Sequence, residues 1–123
     1  MKQLTALAFA SIVLLPLAPA RAQDATAGEA TFKRLCGACH SPLAGKNMVG
    51  PSLFGVIGRT AGSVPNFRYS KPNRESGKVW DATSLDPYLT NPRAVIPGTT
   101  MVFVGIKDAK QRADVIAYLA TLK

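Results

Sequence analysis

Cys36, Cys39 and His40 are the residues of this 123-residue chain whose types and spacing point most directly to chemistry. Two cysteines three apart lie on one side of a helical turn, where their thiols can add to the two vinyl groups of one porphyrin. A histidine directly after the second cysteine can then turn its imidazole onto the iron from the same side. Cys-x-x-Cys-His is accordingly the attachment signature of a c-type haem. Gly37 and Ala38 are small and let a haem lie close against that backbone. Three other uses of the pair compete. A structural zinc site needs four ligands, and this chain has two cysteines and one histidine in all. A thioredoxin-type pair needs alternating strand and helix around it, whereas the flanks here read as helix and then glycine-rich loop. A Cys36–Cys39 disulfide would close a very small ring and staple almost nothing. One covalent haem c is the leading reading.

The N-terminus bears on where such a haem would be attached. Met1 to Gln3 is a short basic stretch, Leu4 to Leu17 is apolar and broken by Pro16, and Ala20-Arg21-Ala22 fits a small-x-small cleavage site. This is the anatomy of a secretory signal peptide, and the apolar run is too short to span a bilayer comfortably. The alternative is a retained N-terminal membrane anchor. Cleavage after Ala22 is expected, leaving a single domain over 23–123. Covalent c-type haem is normally assembled outside the bacterial cytoplasm, so the two readings support each other and place the protein in the periplasm. The intact mass of the exported protein tests this: it should lack residues 1–22, and a mass that retains them refutes the cleavage.

Residues 23–123 keep 13 basic and 7 acidic side chains, a formal charge of +6. That balance favours acidic partners and faster encounter with them. The basic residues are scattered singly, with no basic helix or aromatic stacking motif, which speaks against nucleic acid. A chain this short buries a modest core, to which a haem would add a large apolar plate.

The elements that must position the motif are helical. Asp24 is a good N-cap for a helix over about Ala25 to Leu35. Gly28 and Phe32 share one of its faces, and Gly28, costly in a helix interior, suits close packing of another helix. From Ser41 to Pro65 glycine and proline punctuate the chain, yet Leu43, Val49, Leu53, Phe54, Val56 and Ile57 are apolar. A loop of that length is unusual in a compact domain; a large cofactor for it to wrap would explain it. Ser70 and Pro72 open a short helix. A further helix runs from near Thr83 or Ser84 to Thr90, with Pro87 in its first turn and Asn91-Pro92 as its stop. Asp108 and Gln111 resemble a capping box. Val115, Ile116, Tyr118, Leu119 and Leu122 then form a helical stripe, the natural partner of the Gly28/Phe32 face. No strand, internal repeat or second domain is needed, and the fold class is all-α.

With His40 on one side of the iron, the other side is open to Met48, Met101, a lysine, water or nothing. No second histidine exists. Met48 would have to lead the chain quickly round the ring edge and reads better as core filler. Met101 follows a tight turn set by Pro97 and Gly98, and the apolar residues after it can seal a pocket around a thioether.

Several motifs occur in an order that resembles the class I cytochromes c of the mitochondrial type, in their soluble bacterial form. They are Gly28 and Phe32, the Cys36–His40 run, Gly50-Pro51, Gly58-Arg59 to Gly62, Tyr69, Asn73, Trp80, Tyr88-Leu89, Asn91-Pro92, Ile96 to Ile106, and Ala113 to Leu119. The likeness spans nearly the whole of 23–123. It implies a small cytochrome c fold, with N- and C-terminal helices packed together and loops and short helices wrapping one haem. It further implies thioethers at Cys36 and Cys39, with His40 proximal and Met101 distal. Pro51 would accept the hydrogen bond from the other imidazole nitrogen. Arg59, Tyr69 and Trp80 would hold the propionates, and Asn73, Tyr88 and Thr99 would order a polar network near them. One departure stands out: after Asn91-Pro92 the stretch carries only Arg93, with Ala94, Val95 and Thr100, where the family often has a lysine cluster. Lys33, Arg34, Lys46, Arg93 and Lys107 would then be the residues left to ring the haem edge, or they are ordinary solvated charges.

The function implied is a monomeric one-electron carrier between redox partners, membrane complexes with acidic docking faces, without nucleic acid or stable membrane insertion. The rivals are a haem peroxidase, which needs a vacant distal position, and a dedicated electron-transfer subunit of a periplasmic dehydrogenase, permanently docked.

Overall fold

A computed structural model describes residues 23–123; the expected signal peptide lies outside the described residues. Five helices follow in order: α1 Ala25–Leu35, α2 Lys71–Glu75, α3 Ala82–Thr90, α4 Pro92–Val95 and α5 Ala109–Leu119. Among the described residues the one β pairing is an isolated antiparallel bridge between Thr60 and Val79. No described helix is long and apolar enough to cross a membrane.

The two long helices begin on aspartates. The Asp24 carboxylate accepts the N–H groups of Thr26 and Ala27 at 2.9 and 3.1 Å, and Asp108 accepts that of Gln111 at 2.7 Å. Each satisfies donors that a helix start leaves free. Lys33 and Arg34 occupy the last turn of α1, where the carbonyl ends of the helix favour cations.

α1 and α5 pack against each other, and α3 packs on α5 and α4. Gly28 makes the first contact possible: a Cβ there would run into the Asp114 carbonyl oxygen and stand 3.0 Å from Tyr118 Cβ. Phe32, 2% exposed, meets the Tyr118 ring at 5.2 Å between centroids. Val115, Ile116 and Leu119 complete this seam and continue into Leu85, Leu89, Ile96 and Ile106.

Asp114 ties the two chain ends together. Its Oδ1 accepts the Asp24 N–H at 2.8 Å, and the Lys110 ammonium donates to both carboxylate oxygens at 2.6 and 2.7 Å. The hydrogen bond from Lys110 and that from the Asp24 backbone hold the carboxyl below the usual aspartate range. A carboxylate with a depressed folded-state pKa contributes stability that is complete above its unfolded pKa and is lost as pH falls through the folded value. Denaturation midpoints of wild type and Asp114→Asn, measured from neutral pH downward, should therefore converge below about pH 4. A gap of constant size down to pH 2 would rule the ionic contribution out.

Two helix boundaries differ from the sequence reading. α3 begins at Ala82 rather than Thr83 or Ser84, because Asp81 and Ser84 cap each other reciprocally at 2.8 and 2.9 Å. Pro87 thus lies beyond the first turn and leaves the Thr83 carbonyl without an intrahelical donor. Asn91-Pro92 ends α3 as expected but also starts α4: Asn91 Oδ1 accepts the Ala94 N–H at 3.3 Å, and Pro92 takes the first helical position, where its missing N–H costs nothing.

The long segment between α1 and α2 is a loop, closed on itself by the bond from Leu53 N–H to Ser41 O and held to the rest of the chain by those from Gly55 N–H to Leu122 O, Gly58 N–H to Trp80 O and Ala61 N–H to Lys78 O. Not all its apolar residues turn inward. Val56 is buried, but Leu43 is 59% exposed and Phe54 and Ile57 are more than a third exposed.

Candidate functional site

α1 ends at Leu35, and the chain winds one more irregular turn through Cys36–His40. Cys39 and His40 N–H groups both donate to Cys36 O, at 3.0 and 2.9 Å. That turn places Cys36, Cys39 and His40 along the wall of one cavity. Both thiols are free; burial, and then the neighbouring Cys39, push the Cys36 thiol up to about 11.

His40 is fixed by the loop that follows. Its Nδ1 donates to the Pro51 carbonyl at 2.7 Å, which sets the tautomer and leaves Nε2 as the nitrogen with a free lone pair. Burial lowers the His40 pKa and keeps the ring neutral, opposed in part by the Pro51 hydrogen bond. Gly50 packs flat on the imidazole: a Cβ there would stand 2.7 Å from both ring nitrogens. The Gly50-Pro51 pair thus does two jobs, leaving room for the ring and orienting it.

The remaining walls come from the later helices and the 98–103 segment. Trp80 and Tyr88 are both buried, with ring centroids 4.5 Å apart. The Tyr88 hydroxyl is 3.9 Å from Met101 Sδ. Burial pushes that phenol up to about 12, partly offset by a hydrogen bond with Thr99, so it stays a neutral donor. Thr99 Oγ1 accepts the Met101 N–H at 3.3 Å. On another side, Arg59 Nη2 donates to Phe54 O at 2.6 Å, and the Tyr69 hydroxyl accepts the Val64 N–H at 3.2 Å. Burial lowers the Arg59 pKa, yet a guanidinium stays charged.

All eleven residues singled out from the sequence line this one cavity: Cys36, Cys39, His40, Pro51, Arg59, Tyr69, Asn73, Trp80, Tyr88, Thr99 and Met101. Met48 does not line it and is 42% exposed, so it is not the core filler expected. Leu43, Phe54 and Ile57 are likewise outside it, whereas Val49, Leu53 and Val56 line it. Lys33, Arg34, Lys46, Arg93 and Lys107 are exposed and none lines the cavity. Lys33 is paired with Glu29 at 2.6 Å. Phe67 was missed: it lines the cavity and meets Tyr69 edge-on at 4.8 Å. An aromatic two residues before Tyr69 was the available signal.

These residues fit a haem on chemical grounds. The walls are mostly apolar, two thiols stand beside a neutral histidine with one free lone pair, and the Arg59 cation faces the same space. Asn73 Oδ1 is buried without a hydrogen-bond partner among the described residues, and a buried orphan of that kind suits a group from outside the chain.

A helical protein with a Cys-x-x-Cys-His turn on an apolar cavity is a c-type haem protein, and the comparisons carry this to the family. The family model described as Cytochrome c matches residues 25–123, and the chain belongs to the cytochrome c family. It is similar to cytochrome c of Euglena viridis, 48% identical over 100 residues, 81% of this chain and 98% of that one. Cytochrome c2 of Rhodopila globiformis is 45% identical over 100 residues, covering 81% of this chain and 94% of its own. Cytochrome c2 iso-2 of Magnetospirillum molischianum is 54% identical over 89 residues, covering 72% and 92%. The protein is a class I c-type cytochrome with one covalent haem c on Cys36 and Cys39, an electron carrier rather than an enzyme.

Proposed function

We propose that this chain, after export and cleavage at Ala22, is a monomeric periplasmic carrier with His40 and Met101 as the two axial ligands of its haem iron. The observation that carries the reading is the pairing of a neutral, Pro51-oriented His40 with a Met101 thioether against Tyr88, in one cavity with both cysteines. Bound there, the haem supplies a one-electron Fe(III)/Fe(II) couple.

The chain's own residues do the rest. Pro51 raises the basicity of the imidazole and fixes its orientation through Nδ1. Met101 offers a soft thioether, which favours the ferrous form and raises the potential. Leu35, Leu53, Val56 and Leu85 exclude water from the space, which acts in the same direction. Arg59, Tyr69 and Trp80 are assigned to the propionates, and Asn73, Tyr88 and Thr99 to the polar network beside them. Two protein ligands leave no position for a substrate, and a site held the same way in both oxidation states keeps reorganisation small. The partners would be redox proteins with acidic docking faces, respiratory or photosynthetic, approaching the exposed basic residues.

A proton spectrum of the reduced holoprotein tests the ligation. A methionine methyl shifted far upfield by the porphyrin ring is expected. Its absence, together with ready carbon monoxide binding, would instead point to an open iron and to peroxidase or oxygen chemistry.

A further inference from the structure

Arg112 is the one buried cation among the described residues, and it lies outside the cavity. Its Nε donates to Asp86 Oδ1 on α3 at 2.8 Å, and its Nη1 donates to the carbonyl oxygens of Ile106 and Lys107, each at 3.1 Å. Those two carbonyls close the non-helical segment Thr99 to Lys107, in which Met101 sits. Three more contacts gather at that end. Ile106 N–H donates to Leu89 O at 2.7 Å, the Lys107 ammonium bonds Thr90 O, and Gly105 (φ +97°) brings its backbone against the Thr90 carbonyl. At the other end Thr99 N–H donates to Ile96 O at 3.1 Å.

Between those ends, no backbone–backbone hydrogen bond is donated by Thr100 to Gly105 among the described residues, and Val102 and Val104 are 88% and 83% exposed. Met101 is therefore carried by a strap whose ends are tied by backbone hydrogen bonds and whose middle is held by side chains alone, through Thr99 Oγ1, the Tyr88 hydroxyl and the packing of Phe103 on the core. Arg112 supplies two hydrogen bonds to one of these ends and couples it to α3 and α5 at once. A guanidinium suits this position because its planar fork can serve two carbonyls and a carboxylate together; an ammonium cannot reproduce that geometry.

We propose that Arg112, oriented by Asp86, is a positioning residue for the distal ligand: it anchors the Ile106–Lys107 end of the strap and so holds Met101 on the iron. The inference rests on the Met101 ligation proposed above. Weakening the anchor raises the population of molecules in which the thioether has left, while the cavity itself is untouched. An external ligand that enters only after Met101 leaves then binds with an apparent affinity scaled by that population.

The experiment is a titration of the ferric holoprotein with imidazole, for wild type, Arg112→Lys and Asp86→Asn, each with Met101 intact and in a Met101→Ala background. With Met101 present, Arg112→Lys should bind imidazole about tenfold more tightly than wild type, and Asp86→Asn about threefold, as expected for coupled sites. In the Met101→Ala background both should change affinity by less than about twofold, because no strap-borne ligand is left to displace. Equal effects in the two backgrounds would mean that Arg112 acts on the fold at large, and would overturn the proposal. Unchanged affinity in both would overturn it too. Should Arg112→Lys not accumulate with haem, Asp86→Asn, which leaves the Arg112 carbonyl bonds in place, carries the same comparison. The wild-type reduced proton spectrum keeps the two ideas apart. A missing upfield methyl refutes the ligation and this inference with it; a methyl present with flat imidazole affinities refutes the inference alone.

Discussion

Met101→Ala should lose the upfield methyl signal of the reduced protein, bind carbon monoxide readily, and fall in reduction potential. The thioether is a soft, neutral ligand that stabilises the ferrous state relative to a water or a vacant position. Axial ligands span about 0.8 V across haem proteins, and loss of the sulfur should cost a sizeable fraction of that, on the order of 0.1–0.3 V. The substitution also strips the Tyr88 hydroxyl of its 3.9 Å sulfur neighbour. That hydroxyl is buried, and burial pushes its pKa up to about 12, so it would turn as a donor to Thr99 or to an entering water. The secondary structure should be unchanged, since Met101 lies in no helix. A retained methyl signal in the variant would move the ligand elsewhere. Met48, exposed and outside the cavity, would then have to travel to reach the iron.

Gly28→Val should be strongly damaging to the fold. Gly28 lies in the second turn of α1, where alanine or valine would ordinarily gain about 0.3–1 kcal/mol of helix propensity over glycine. Packing reverses the sign. Any Cβ at this position runs into the Asp114 backbone carbonyl, and α5 cannot yield locally without breaking its own ladder. The two helices must move apart, loosening Phe32 against Tyr118 and the Asp24–Asp114 hydrogen bond together. A loss of roughly 3 kcal/mol or more is expected, at the upper end of overpacking effects. For a domain of this size that lowers the thermal midpoint by about 10–20 °C. Ala30→Val, on the exposed side of the same helix, is the control and should cost less than about 1 kcal/mol. Equal losses in the two variants would make the effect one of β-branching in α1 rather than of helix contact.

The starts of α1 and α5 and the attachment turn were legible because their causes are local. Asp24 and Asp108 stand just before apolar stripes, and the observed N-caps fall on both. Cys36–His40 carries its chemistry within five residues. The cavity walls were legible through the family's ordered motifs, which name positions no periodicity could reach; Pro51 and Thr99 sit in irregular backbone, and Asn73 in a helix too short to show a period. What escaped depends on contacts made across long sequence separations. The side toward which Leu43, Phe54 and Ile57 face was hidden because a loop has no repeat to read. Arg112 carries no local signal, since its partners, Asp86 and the Ile106 and Lys107 carbonyls, reach it only through the fold. α4 escaped because Asn91-Pro92 reads as a stop, and the same two residues also make a start.

The seam between the first and last helices sets a schedule for maturation. A chain made from its N-terminus presents Cys36, Cys39 and His40 long before Ala109–Leu119 exists. Until then the Gly28/Phe32 face has nothing to close on, and the Asp24 N–H must wait for a carboxylate ninety positions later. Closing a loop of that length carries an entropic cost that local contacts do not offset. A chain whose α5 has not yet docked on α1 therefore keeps Cys36 and Cys39 on an open turn rather than on a closed cavity wall.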